Sequence, residues 1–111
     1  MITHTLEEIF IQSLASGPLL KSYPCNKQVR LISVQLKFST PVTETVTITR
    51  VSAHGDEYNV NIATEDLDSN SSYIFHPCWE VILILGDSIK IECTNANLTG
   101  IVYGTVHIEG G

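Results

Sequence analysis

Between Val29 and Ser39 the chain alternates: Ile32, Val34, Leu36 and Phe38 fall on one face of an extended backbone, Ser33, Gln35, Lys37 and Ser39 on the other. A side-chain period of two rules out helix here and specifies a strand with one buried face. The pattern recurs. Val46 and Ile48 alternate with Thr45, Thr47 and Thr49, and Tyr58, Val60 and Ile62 with Asn59 and Asn61. Ile89, Ile91 and Cys93 alternate with Lys90, Glu92 and Thr94, and Val102, Val106 and Ile108 oppose Ile101, Tyr103, Thr105 and His107. Val, Ile and Thr supply 33 of 111 residues, and these side chains, stiff at χ1, suit a pleated surface. Val81 to Leu85 is apolar at every position, which predicts a strand covered on both faces.

Turn chemistry separates these runs. Thr40-Pro41 predicts the end of the first; Ala53-His54-Gly55-Asp56, Gly86-Asp87 and Asn95-Ala96-Asn97 predict turns. The acidic stretch from Glu65 to Ser72 reads as a long contact loop. Gly104, in mid-strand, predicts a bulge or a close backbone approach. Seven or eight short strands without intervening helical patterns indicate an all-β, antiparallel β-sandwich. Its wiring is expected to be jelly-roll-like rather than immunoglobulin-like, because no Trp lies at the expected place between Cys25 and Cys93; Trp79 sits beside Cys78 instead.

With 111 residues there is room for one domain, divided by pattern into an N-terminal arm, residues 1–28, and a sandwich, residues 29–111. Within the arm, Thr5 followed by Glu7 and Glu8 suits the start of a short helix through Leu14, while Ile9 and Ile11 equally suit an edge strand. Gly17-Pro18 and Pro24 interrupt any regular element, leaving Leu19, Leu20 and Tyr23 in broken chain. Apolar residues in such an irregular segment usually tuck against their own domain, but they can also form an arm that packs on a neighbour, and Ile9, Phe10, Ile11, Leu19, Leu20 and Tyr23 are the candidate contacts. Neither a signal peptide nor a transmembrane helix is expected, since a basic leader and a long apolar run are both missing.

Twelve acids against six bases give a net charge of −6, opposite in sign to what a phosphate backbone demands, so neither nucleic acid nor membrane is expected as a partner. Residues 1–50 hold five bases against three acids, whereas residues 51–111 hold Lys90 against nine acids. Such segregation would let one part of a protomer dock on another part of its neighbour or leave an acidic outward face, although a solvated surface is the commoner meaning of such a charge distribution. Three cysteines, Cys25, Cys78 and Cys93, form neither a CxxC pair nor a zinc spacing, and their odd number suits a reducing compartment.

Reactive constellations are weak. His4, His54, His76 and His107 are scattered, and His76-Pro77-Cys78 has no second ligand pair beside it, so no metal or other cofactor is expected. Glu65, Asp66, Asp68 and Asn70 lack the glycine and terminal acid of a helical calcium loop. No nucleophile elbow surrounds a serine, and the adjacent acid pairs fall in loops where water solvates them, so an enzyme is not expected. An alternative is a carbohydrate-binding or host-adsorption module, with Tyr58, Tyr73 and Trp79 as an aromatic platform.

The second half, from Ser72-Tyr73-Ile74-Phe75-His76-Pro77 through Leu85-Gly86-Asp87-Ser88-Ile89-Lys90-Ile91 to Gly100-Ile101-Val102-Tyr103-Gly104-Thr105-Val106, resembles small β-sandwich virion proteins of tailed bacteriophages. The likeness reaches back to the Val29–Ser39 strand. It implies a capsid decoration or cement protein, made in the host cytoplasm and carried on the virion. The implied partner is the major capsid protein, bound by a homotrimer that stabilises the head.

Overall fold

The alternating runs do become strands. A computed structural model describes residues 4–15, 17–94 and 100–110, with the side chains of 4–6 left aside. Among these residues the strands are β1 (His4–Ser13), β2 (Leu20–Pro24), β3 (Val29–Val42), β4 (Thr45–Val51), β5 (Val60–Asp66), β6 (Asn70–Phe75), β7 (Ile82–Leu83), β8 (Ser88–Cys93) and β9 (Ile101–Gly110). They form two antiparallel sheets, ordered β1-β9-β3-β6, with β7 beside β3, and β2-β8-β4-β5. The pairs are nested: β1 with β9, β2 with β8, β3 with β6, β4 with β5. That is a long hairpin rolled on itself, the wiring of a jelly roll.

The inward face of each sheet supplies the core. Val34, Leu36, Val46, Ile48, Ile89, Ile91, Val102 and Val106 are shut off from water, as their alternation predicts. Two slips in alternation have a local cause. Pairing of β3 with β9 shifts register between Leu31 and Ser33, so before the bulge the odd residues Val29 and Leu31 face inward and after it the even ones do. Ile32 is thereby turned off the core face and Ser33 is buried, because one extra residue in a strand exchanges its two faces. Pro41 does not end β3; it sits where the pairing with β6 shifts between Lys37 and Val42, a place where a missing amide costs nothing.

Residues 1–28 are not an irregular arm as far as they are described. β1 pairs with β9 in unbroken register from His4–Gly110 to Ser13–Ile101, and β2 pairs with β8. The edge-strand reading of Ile9 and Ile11 holds in place of the helix, and the stretch from Leu14 to Leu19 delivers both of those leucines to the core. Two strands of the sandwich thus precede residue 29, so the boundary drawn there falls inside the domain. Burial of Phe10, Leu14 and Leu19 outweighed the proline and glycine signals, which mark only the crossing from one sheet to the other.

The acidic stretch is likewise mostly strand. β5 runs to Asp66 and β6 starts at Asn70, joined by a tight connection in which Leu67 is buried and Ser69 takes a positive φ of 49°. Val81 to Leu85 is not a covered strand: only Ile82 and Leu83 pair, with β3, and Ile84 and Leu85 stand exposed. Tyr58 closes a 3-10 turn, Asp56–Tyr58, rather than opening β5.

Candidate functional site

Two surfaces collect most of the large apolar side chains left exposed. One is the outer face of the sheet β1-β9-β3-β6. Registration places Ile11 beside Tyr103, Tyr103 beside Lys37 and Lys37 beside Ser72; in the next row Ile9 lies beside Thr105, Thr105 beside Gln35 and Gln35 beside Ile74. Ile101 continues the face next to Ser13. Ile9, Ile11, Ile74, Ile101 and Tyr103 are each about half exposed. A rigid sheet presenting so many large apolar groups on its solvent side is a mark of a contact surface, since water makes every such group costly. Near the middle, Gln35, Lys37, Ser72, Ile74, Tyr103 and Thr105 border a shallow hollow of about 150 Å³.

Of the residues expected at contacts, the structure brings only some to this surface. Ile9 and Ile11 face outward on it, and Leu20 is exposed on β2 in the other sheet. Phe10 and Leu19 are core residues, and Tyr23 packs partly against the core. Phe10 faces inward because it alternates with its two isoleucine neighbours. The ring lies against Gly104, its cross-strand partner, and the Lys21 Nζ stands 5.7 Å from the ring centroid. Sequence reading missed Ile74, Ile101 and Tyr103. Their signal was present: Ile101 and Tyr103 are large and apolar at positions opposite to buried Val102, so β9 is apolar on both faces at its start.

The second surface is an open cleft of about 660 Å³ at one end of the sandwich, lined by Arg50, Ser52, His54, Glu57, Tyr58, Ile82, Ile84 and Asp87. Trp79 borders an adjoining groove that shares Arg50 and Ile82 with it. Tyr58 and Trp79 are both more than half exposed. Tyr73 is not part of this arrangement; half-buried against the core, it has a hydroxyl pKa raised by burial and by the nearby Glu65 carboxylate, so it keeps its proton.

The cleft is shaped by one buried carboxylate. Asp87 accepts hydrogen bonds from the Ala53 amide (2.9 Å) and the Ile84 amide (3.2 Å), and so ties two loops together. Its own carbonyl accepts from the Cys25 amide at 2.8 Å, and the Gly86 amide donates to the Cys25 carbonyl at 2.9 Å. Gly86 holds a φ of 93°, the left-handed geometry that closes the turn from Ile84 to Asp87. Burial, with Asp87 close by, pushes the Cys25 thiol pKa up, so that thiol stays protonated and a poor nucleophile.

Cys93 is also buried, its sulfur accepting a hydrogen bond from the Leu19 amide at 3.3 Å, and Cys78 is exposed. Among the described residues no three His, Cys, Asp or Glu side chains gather in a metal-holding group, and no helix is long and apolar enough to cross a membrane. The chain matches no known protein family, and no curated protein is similar to it.

Proposed function

We propose that this protein is a structural virion component, a decoration or cement protein that binds the outer surface of a phage capsid and stabilises the head by protein–protein contact. The observation that carries the reading is the half-exposed apolar group Ile9, Ile11, Ile101 and Tyr103 on the outer face of a five-stranded sheet. Such a face can be covered without rearranging the backbone, and covering about 800 Å² per partner is enough for a specific contact. The resemblance of the second half to small phage sandwich proteins supports the same reading; the jelly roll by itself does not, since that architecture hosts unrelated functions.

The double variant Ile11→Asp/Tyr103→Ser alters only outward-facing side chains. It is expected to retain the wild-type melting temperature within a few degrees and to lower occupancy on purified heads at least tenfold, because apolar anchors at the centre of an interface dominate its energy. Undiminished occupancy contradicts the assignment of this face. Removing residues 1–23 is not a usable test, because it removes β1, most of β2 and the buried side chains of Phe10, Leu14 and Leu19.

A second reading, a carbohydrate-binding or host-adsorption module, is favoured by the cleft. Arg50 and His54 can donate, Glu57 can accept, and Tyr58 and Trp79 offer exposed ring faces, a set that suits the alternating hydroxyls and apolar faces of a sugar. On this reading, Tyr58→Ala and Trp79→Ala each abolish signals on a glycan array while the fold survives. A wild-type protein that binds no glycan at millimolar concentration removes it.

A further inference from the structure

We infer that two copies of the chain pair through β1, edge to edge about a twofold axis centred on Phe10, to make one continuous ten-stranded sheet. The inference is independent of the capsid reading.

β1 is the end strand of its sheet, and its ten residues keep perfect register with β9. The other three edges carry devices that discourage pairing. β2 has Lys21 and Pro24, β5 pairs with a register shift between Ile48 and Thr49, and β6 pairs with a shift between Lys37 and Val42. β1 has neither proline, lysine nor bulge.

Backbone phase decides which groups are offered. The Leu14 amide donates to Gly100 of the β9 side at 2.9 Å, so the even residues of β1 bond inward to β9. The amides and carbonyls of Glu7, Ile9, Ile11 and Ser13 therefore point off the free edge, because successive residues of an antiparallel strand alternate in direction. An antiparallel twofold pair must join odd residues to odd residues.

Side chains then choose among the permitted registers. Centred on Phe10, Ile9 meets Ile11 of the second copy, Glu7 meets Ser13 and Glu8 meets Gln12, giving about eight backbone hydrogen bonds and no carboxylate opposite another. Shifting the centre to Ile9 sets Ile11 against Glu7 and Phe10 against Glu8. The Phe10 register also sets the two Phe10 rings opposite each other, each with a Lys21 Nζ 5.7 Å from its centroid, and keeps the two Glu8 residues four positions apart along the paired strands. The apolar rows of the two copies join into one, from Tyr103 through Ile11 and Ile9 to those of the second copy. This contact is self-complementary, as twofold interfaces are, and closes at two copies, unlike the threefold assembly implied by resemblance.

The buried area is below that of a standard interface, so a reversible dimer with a Kd on the order of 10 μM is expected. Light scattering and sedimentation of the full chain from 1 μM to 1 mM should show a monomer–dimer equilibrium. Ile9→Pro removes one edge-facing amide and none that bonds β9, and Ile11→Lys sets a charge against Ile9 of the second copy. Each should weaken the dimer at least tenfold with the β-sheet circular dichroism and melting transition retained, and Ile11→Lys carries the test if the proline variant unfolds. Spin labels at Ser13→Cys, in a background with Cys78→Ser, should report a backbone separation of about 20 Å, six residues of strand. A wild-type monomer at 1 mM, a trimer, a dimer indifferent to both substitutions, or a label separation near 14 or 27 Å overturns the inference.

Discussion

Replacing Gly104 with valine is expected to destabilise the fold by about 2–3 kcal/mol, the ordinary cost of forcing extra atoms into a filled core. Gly104 faces inward on β9, directly across from Phe10 on β1, and a Cβ there would overlap the phenyl ring. The far end of the ring, Cζ with Cε1 and Cε2, occupies the space beside the glycine and supplies the side-chain packing that the glycine lacks. Phe10→Ala alone should cost about 3–5 kcal/mol, since it empties a buried aromatic site. The two changes should be strongly non-additive: with the ring gone, Gly104→Val fills the void instead of clashing, and the double variant should be no less stable than Phe10→Ala. Urea denaturation of the four proteins measures the coupling. Simple additivity would show that ring and glycine do not share the space assigned to them.

Asp87→Ala should cost on the order of 3 kcal/mol and open the cleft. It strips two amides, Ala53 and Ile84, of the buried carboxylate they donate to. Asp87→Asn retains one acceptor oxygen and should lose roughly half as much. Backbone amide exchange separates this local role from a global one: protection should vanish at Ala53 and Ile84 in the alanine variant while the central residues of β3 and β9 stay protected. Loss of protection spread evenly over both sheets would contradict the clamp.

The strand content is legible in the sequence because each core strand, from Val34 and Leu36 through Val102 and Val106, buries one face and keeps the period-two signal; the jelly-roll wiring rests on long-range pairing that this signal does not carry. Legibility failed where burial and alternation part company. The bulge at Leu31–Ser33 is invisible in a list of apolar residues, so Ile32 was assigned to the core and Leu31 was not. β1 and β2 look like a broken arm because Gly17-Pro18 and Pro24 interrupt the segment, yet their pairing with β9 and β8 is long-range and leaves no local trace. In the same way, composition alone makes Phe10 and Leu19 look like surface anchors, whereas their immediate neighbours Ile9, Ile11 and Leu20 are the exposed ones.

The candidate surfaces divide similarly. Ile9 and Ile11 stand out in the sequence as contact residues, but Tyr103 and Ile101 join them on one face only through the register of β9. Tyr58 and Trp79 were named as a platform, and they do border connected hollows; Tyr73 belongs to the opposite sheet and turns inward. Arg50, near the end of β4, meets His54 and Glu57 through the turn around Asp87, and no spacing in the chain announces that meeting.

The most direct measurement is cryo-electron microscopy of phage heads assembled with and without the protein. Density for this jelly roll should stand on the outer shell, with the face of Ile9, Ile11, Ile101 and Tyr103 buried against the capsid lattice and heads lacking it bursting at lower temperature. Heads that never carry the protein, or that carry it with this face turned to solvent, would contradict the account.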